Sequence, residues 1–139
     1  MTFARQHRNG VLTTQKRDGR PQLSNITYLA GDANTEDERV VRISITADRA
    51  KYFNLTRDPR ASLHITQPDF WGYVVLEGDA DVAPVAAAPD DATVEELVAL
   101  YRGVQGEHPD WDEYRAVMVK DRRTVVRLRP THAYGMLNS

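Results

Sequence analysis

The sequence lacks cysteine, lacks any long apolar run and has no marked excess of one charge, and each absence excludes a class of function. Without cysteine, a thiol nucleophile and a cysteine-ligated zinc or iron–sulfur site are both excluded. No apolar run approaches the ~20 residues of a membrane span, and residues 1–8 lack a signal peptide's hydrophobic segment, so we expect a cytoplasmic protein without membrane contact. The net charge of −2, with both signs interspersed, argues against a nucleic-acid partner.

The common catalytic signatures are also missing. Glycine-rich nucleotide loops, Walker-type loops and nucleophile elbows are absent. No carboxylate pair stands out, so the sequence identifies no catalytic residue. The histidines are too widely spread to predict a metal site; they stand at positions 7, 64, 108 and 132.

Residues 44–59 predict a phosphate site, because a strand is followed directly by a short helix with two cations at its start. Asp48 is a good N-cap, and Asp58 before Pro59 is a good stop. Arg49 and Lys51 would lie in the first turn, where the helix dipole disfavours cations unless an anion is bound. Backbone N–H groups, both cations and the preceding serine would converge on one phosphate group. The alternative is a solvated helix start with two snorkelling side chains.

The start of the chain predicts a β-hairpin, because Asp18-Gly19 separates two β-prone runs over residues 10–16 and 21–29. In the second run, period-two counting places Gln22 and Ser24 on one face with Ile26 and Tyr28, while Asn25 falls on the other face. Polar side chains on both faces suit a strand that meets a ligand or a second chain. The alternative is local satisfaction by turn backbone.

The remaining patterns describe a single domain over residues 1–139. Alternation and composition predict further strands at 39–45, 61–66, 71–82, 122–130 and 131–135. Helical spacing predicts helices at 93–104, capped by Asp90 or Asp91, and at 111–121, capped by Asp110. The acidic residues 30–38 predict an exposed hairpin loop. Together these elements predict a mainly β fold with helices, built as a small barrel of about six strands.

Two of these strands carry further detail. In the strand at 39–45, Val41, Ile43 and Ile45 are predicted to face inwards, and Ser44 lies on the opposite face. In the strand at 71–82, the small residue Gly78 suits a bend or a close backbone approach.

Several segments resemble the pyridoxamine 5′-phosphate oxidase-like split β-barrel superfamily, and the likeness covers essentially the whole chain. The segments are Gly10-Val11-Leu12-Thr13-Thr14, Asp18-Gly19-Arg20-Pro21-Gln22-Leu23-Ser24-Asn25, Asp48-Arg49-Ala50-Lys51, Asn54-Leu55, Arg57-Asp58-Pro59-Arg60-Ala61-Ser62 and Glu77-Gly78. The glycine–arginine–proline run, the helix start and the tail from Asp121 to Gly135 are more similar to the flavin/deazaflavin-dependent oxidoreductases. That branch binds coenzyme F420, an 8-hydroxy-5-deazaflavin. In contrast with relatives, which usually have a helix before the first strand, only about eight residues precede Gly10 here.

The resemblance implies a homodimeric split barrel of the FMN-binding-protein type, with the cofactor in the interface. It implies that Ser44, Arg49 and Lys51 hold the cofactor's phosphate, with Asn54 supporting them. It further implies these roles for other residues: Gln22, Ser24 and Asn25 line the ring system, Trp71 and Tyr73 are contributed by the second subunit, and Met118 and Arg122 lie where a small-molecule substrate enters.

The function implied is F420-dependent reduction, in which a reduced deazaflavin delivers hydride to an electron-poor double bond. A proton could come from solvent or from a pocket side chain. One alternative is an FMN-dependent oxidase or reductase of the pyridoxamine phosphate oxidase type, although Arg127-Leu128 matches that enzyme's C-terminal pattern only superficially. The others are a non-catalytic F420- or FMN-binding protein and a split barrel that binds no cofactor.

Overall fold

The computed structural model describes residues 1–31 and 39–137. The acidic loop predicted at residues 30–38 therefore lies mostly outside the described residues. Within them the elements are α1 (Thr2–Arg5), β1 (Asn9–Gln15), β2 (Pro21–Ala30), β3 (Val41–Thr46), α2 (Ala50–Arg57), β4 (Arg60–Thr66), β5 (Tyr73–Val82), α3 (Ala92–Gln105), α4 (Trp111–Lys120) and β6 (Arg123–Met136). No helix among these residues is both long enough and apolar enough to cross a bilayer.

The six strands close into one antiparallel barrel in the order β1-β2-β3-β6-β5-β4. This confirms the predicted six-stranded barrel. The hairpin between β1 and β2 turns at Gly19, whose positive φ of 88° suits glycine and few other residues. β6 connects β3 to β5, so the last strand of the chain brings distant segments together.

Apolar side chains fill the barrel because the strands alternate. In β3, Val41, Ile43 and Ile45 are buried while the residues between them are partly exposed, as predicted. A second apolar cluster lies outside the barrel, where α3 and α4 pack on β6 through Leu97, Met118 and other buried residues. The residues that begin α2 and β6, Ala50 and Arg123, belong to neither core, and they are exposed and partly exposed, respectively.

The predicted close approach at Gly78 is confirmed. A side-chain Cβ there would lie 2.0 Å from the carbonyl oxygen of Arg129, and the register shifts between Glu77 and Gly78. Pro130, which has no N–H to donate, is paired with Gly78 at this irregularity. For this reason β6 runs through the proline as one strand, and the prediction of two separate strands was wrong.

The helix limits agree with the sequence at α3 and α4 and differ at α2. Asp91 and Asp110 cap α3 and α4 by accepting hydrogen bonds from Val94 N and Glu113 N, as predicted. The predicted Asp48 cap of α2 was wrong, because the helix begins at Ala50 with no side-chain cap. β5 begins two residues later than predicted, since its first two predicted residues belong to the preceding turn.

The short N-terminus does form a helix, although it has only four residues. The buried Tyr28 hydroxyl of β2 donates a 2.8 Å hydrogen bond to the Ala4 carbonyl oxygen. α1 is therefore fixed against one end of the barrel by a buried polar contact.

Candidate functional site

Three cationic side chains converge where β3 ends, α2 begins and β6 begins. They line a cavity of about 290 Å³, which we call the cationic cavity. Its lining consists of Asn25, Ile26, Ser44, Ile45, Thr46, Arg49, Lys51 and Arg123. The antiparallel pairing of Thr46 with Arg123 brings the start of β6 beside the end of β3. Four of the sequence-predicted site residues, Asn25, Ser44, Arg49 and Lys51, thus lie together.

The charge of this cavity is unbalanced. None of the described residues that line it is acidic, and none of its three cations forms an ion pair within the described part of the chain. Burial, followed by the charges of Arg49 and Arg123, holds the pKa of the Lys51 ammonium group below its usual value. Such a cluster is stabilised when an anion enters it.

Arg123 is the site residue that the sequence did not predict. Its Nη1 donates a 3.2 Å hydrogen bond to Ser44 Oγ, and its buried Nε has no partner among the described residues. An unpaired buried donor costs about 1–3 kcal/mol, and a ligand oxygen that accepted from this Nε would remove that cost. Seventy-nine positions separate Arg123 from Ser44, and only the β3–β6 register brings them together.

The start of α2 is open to a ligand. Its N-cap residue is Arg49, in an extended conformation, and no side chain caps the first turn. Asp48 instead interacts with the Thr46 side chain, a hydrogen bond that holds the pKa of the Asp48 carboxyl below its usual value. Tyr52 N donates to the Arg49 carbonyl oxygen at 3.1 Å, so among the first-turn N–H groups those of Ala50 and Lys51 remain available at the positive end of the helix dipole.

Gln22, Ser24 and Asn54 do not reach the cationic cavity. Gln22 and Ser24 are hydrogen-bonded to each other on the face of β2 opposite Asn25, and Thr14 Oγ1 donates to Gln22 Oε1 at 3.2 Å. The buried Asn54 donates to Thr14 Oγ1 at 3.1 Å. This network attaches α2 to β1 and so helps to fix the position of the helix on the barrel.

A larger cavity of about 520 Å³ adjoins the cationic cavity along the outside of β1. This strand-face cavity shares Asn25 and Ile26 with it and is otherwise lined by Asn9, Gly10, Val11, Thr27, His64 and Thr66. Gly10 allows a close approach of β1 to β4 beside this cavity, since a Cβ there would lie 2.8 Å from the His64 carbonyl oxygen and 2.9 Å from the buried Leu63 side chain. Its volume lies within the range of about 300–1,000 Å³ that is usual for ligand pockets.

Met118 and Arg122 lie in two further cavities, each adjoining the cationic one. Met118 lines a helix cavity of about 240 Å³ beneath α3 and α4, which shares Ser44 and Arg123 with the cationic cavity. Arg122 lines an outer cavity of about 590 Å³, which also contains Lys120 and two aspartates. The outer cavity shares Thr46, Arg49 and Arg123 with the cationic cavity. The cationic cavity is therefore open towards the outer cavity.

Trp71 and Tyr73 lie away from the cationic cavity, at the β4–β5 hairpin. Trp71 is 73% exposed, and Tyr73 stacks on His64 with ring centroids 5.3 Å apart. Leu23, Phe70, Tyr134, Met136 and Leu137 are also large, apolar and exposed, and Phe53 on α2 and Val117 on α4 are exposed elsewhere. We call those on β2, at the β4–β5 hairpin and at the end of β6, together with Trp71, the apolar face.

Comparison with known proteins gives a match to one family model and to several solved structures with the same fold. The family model described as pyridoxamine 5′-phosphate oxidase matches residues 1–137. Among solved structures, the chain is similar to an F420 reductase, with 23% identity, a TM-score of 0.69, and coverage of 96% of this chain and 94% of that one. It is similar to a conserved hypothetical protein from Mycobacterium tuberculosis (23% identity, TM-score 0.70, coverage 97% and 80%). It also resembles a pyridoxamine 5′-phosphate oxidase-related, FMN-binding protein from Nostoc punctiforme (15% identity, TM-score 0.60, coverage 97% and 76%).

Proposed function

We propose that this chain, which belongs to the pyridoxamine 5′-phosphate oxidase family, is an oxidoreductase that binds a flavin-type cofactor by its phosphate. More specifically, we propose a coenzyme F420-dependent reductase that transfers hydride to an electron-poor double bond of a small molecule. The observation that carries the proposal is the cationic cavity, where Arg49, Lys51 and Arg123 surround Ser44 without an acidic partner among the described lining residues.

The residues present fit a phosphate group. Two guanidinium groups and an ammonium group supply charge, and the Ser44 hydroxyl and the uncapped start of α2 supply further hydrogen-bond donors. The buried Nε of Arg123 would gain a partner if the guanidinium turned towards a bound phosphate oxygen. A bound cofactor would supply the hydride chemistry, while these residues bind and orient it.

The strand-face cavity is the best place for the ring system. It adjoins the cationic cavity at Asn25 and has a volume of about 520 Å³, whereas the helix cavity, at about 240 Å³, lies below the usual range for a ligand pocket. Asn25 lines both the cationic and the strand-face cavities, so one ligand could extend past it from phosphate to ring.

The open side of the cationic cavity favours coenzyme F420 over FMN. In coenzyme F420 the phosphate is a diester whose chain continues to further carboxylates, whereas the phosphate of FMN is terminal. The outer cavity, where such a chain would continue, is lined by Lys120 and Arg122 in addition to Arg49 and Arg123, and these four cations outnumber its two carboxylates, Asp48 and Asp121. Similarity to an F420 reductase of nearly the same length supports the same choice. FMN remains the alternative cofactor, and the Nostoc punctiforme neighbour is an FMN-binding protein.

We further propose a homodimer in which the apolar face of each chain is buried. Trp71 is 73% exposed, Met136 63% and Leu23 60%, and exposed apolar side chains of this size are typical of interaction sites when they are clustered. A cavity of about 450 Å³ lies among Leu23, Val75 and Tyr134, and the partner's side chains would fill it. Sedimentation should show a dimer at micromolar concentration, and Trp71→Ala should weaken it. A wild-type monomer would contradict a site shared by two chains.

Equilibrium titration of the purified protein with coenzyme F420 and, separately, with FMN tests the proposed cofactor. We expect saturable binding of one cofactor per chain, tighter for coenzyme F420. Tighter FMN binding would place the protein with the FMN-dependent alternatives, and no binding of either would refute the proposal. Oxidation of the reduced, bound cofactor by an electron-poor alkene would then distinguish an enzyme from a non-catalytic binding protein.

A further inference from the structure

His64 is a half-buried side chain that lines the strand-face cavity and has no role in holding the phosphate. One row of paired residues crosses the outside of the barrel and places it: Asn25 on β2, Val11 on β1, His64 on β4, Val75 on β5 and Tyr134 on β6. Two strand spacings, about 10 Å, separate His64 from Asn25. Both line the strand-face cavity, so a ring that extends from Asn25 along this cavity approaches the imidazole.

The two nitrogen atoms of the His64 ring have different surroundings. Nδ1 lies 3.4 Å from the Thr66 hydroxyl oxygen, while Nε2 has no hydrogen-bond partner in the described part of the chain. If Nδ1–H donates to Thr66 Oγ1, Nε2 is the nitrogen that exchanges its proton with the cavity. The ring is held in place by stacking on Tyr73, with 14° between the ring planes.

The side chains around His64 are mostly uncharged. The titratable groups on the same outer face of the neighbouring strands are Tyr73 and Glu77 of β5, with Tyr134 and His132 of β6 one strand further away, and β1 contributes none. Among the described residues, no charged side chain lines either cavity that His64 borders. Histidine is the residue type whose ordinary titration range includes neutral pH.

Other side chains near the cationic cavity are less suitable as proton donors to a bound acceptor. The Tyr114 hydroxyl donates to the Leu97 carbonyl oxygen at 3.0 Å, and burial raises its pKa. The lowered pKa of Asp48 keeps it deprotonated at neutral pH. Tyr101 lines the helix cavity and is the remaining competitor.

We propose that His64, as its imidazolium, donates the proton that completes reduction of the acceptor, with Thr66 as a positioning residue. This inference rests on the proposed hydride transfer. The β-carbon of an electron-poor C=C bond takes the hydride, and the α-carbon takes the proton from Nε2. Two electrons pass from the reduced cofactor to the acceptor, and the imidazole is left neutral with its remaining proton on Nδ1. Water then returns the proton to Nε2.

Nitrogen-15 NMR of the cofactor-free protein tests the arrangement without any turnover. Neutral His64 should be the Nδ1–H tautomer, and Thr66→Val should shift it towards the Nε2–H tautomer that is usual in water. His132, which is exposed on β6, should be unaffected. A wild-type His64 already in the Nε2–H form, or one indifferent to Thr66→Val, would overturn the proposed positioning.

The pH dependence of reduction tests the proton transfer itself, with the full chain loaded with reduced coenzyme F420 and with cyclohex-2-en-1-one as acceptor. The wild-type rate should fall as pH rises through the neutral range. His64→Gln should lower the rate about 10²- to 10⁴-fold and remove this pH dependence, while the dissociation constant of the cofactor changes far less than the rate. His132→Gln is the matched control and should change nothing.

The outcomes distinguish this inference from the function on which it rests. If His64→Gln binds cofactor and keeps the wild-type rate and pH profile, His64 is not the donor, although the reductase stands. A loss confined to Tyr101→Phe would transfer the role to Tyr101 and would also overturn the inference. A wild-type protein that neither binds coenzyme F420 nor reduces the enone would refute the proposed function, and the inference with it.

Discussion

Replacing Lys51 with alanine should separate cofactor binding from folding, because its ammonium group lies where only an anion makes it favourable. Lys51 is the second residue of α2, at the positive end of the helix dipole, which disfavours a cation by about 0.3–1 kcal/mol. Arg49 and Arg123 add repulsion. Alanine is also a better helix former than lysine. The free energy of unfolding of the cofactor-free variant should therefore stay within about 0.5 kcal/mol of the wild type or rise.

The affinity of Lys51→Ala for the cofactor, in contrast, should fall. With a phosphate group in the cationic cavity, the Lys51 ammonium makes a charge-assisted hydrogen bond worth about 1.5–3 kcal/mol. Since about 1.4 kcal/mol corresponds to a factor of ten, the dissociation constant should rise about 10- to 150-fold. The effect should decrease at higher ionic strength, because Lys51 is only partly buried and its interaction is partly screened.

Fluorescence titration with coenzyme F420 gives the dissociation constant, and calorimetry of the cofactor-free protein gives the melting temperature. Lys16→Ala is the matched control, because Lys16 is an exposed lysine just after β1 and lines none of the cavities described above. It should leave both quantities unchanged. Equal affinity of Lys51→Ala and wild type would refute the phosphate contact, and an unfolded cofactor-free variant would show that Lys51 is structural.

Two further predictions concern stability. Glu96→Gln should lower the free energy of unfolding at neutral pH by about 1–3 kcal/mol, because Arg42 and Arg127 lose the carboxylate that they share. Burial acts to raise the pKa of Glu96, but hydrogen bonds from both arginines outweigh it and the pKa is lowered. Since the folded pKa lies below the unfolded one, urea denaturation should show the full difference above the unfolded pKa, and this difference should vanish as pH falls through the folded pKa. Asp91→Ala should cost about 0.5–2 kcal/mol by calorimetry, because Asp91 Oδ1 accepts the Val94 N–H at 2.8 Å.

The features that the sequence predicted well depend on residues that are close together in the sequence. Alternation in β3 depends on the pleat of one strand, and the caps at Asp91 and Asp110 depend on hydrogen bonds across three residues. The Asp48 cap failed at the same local level, because Thr46 provides a competing partner that the capping pattern does not take into account.

The features that the sequence missed depend on pairing between distant strands. A proline usually predicts the end of a strand. Only the pairing of Pro130 with Gly78, next to a register shift, explains why β6 continues through it. Arg123 becomes a site residue only through the register that places it beside Thr46. Arg122, one residue earlier, has a φ of 53° and lines the outer cavity instead. Nothing in the local sequence distinguishes these two arginines.

A crystal structure of the complex with coenzyme F420 tests the central claim most directly, since it locates the phosphorus atom. We expect phosphate oxygens within hydrogen-bond distance of Ser44 Oγ, Lys51 Nζ and the Arg123 guanidinium, whose Nε would then have gained a partner. We also expect the deazaflavin ring in the strand-face cavity beyond Asn25. A phosphate bound elsewhere on the barrel, with Arg123 unchanged, would contradict the account.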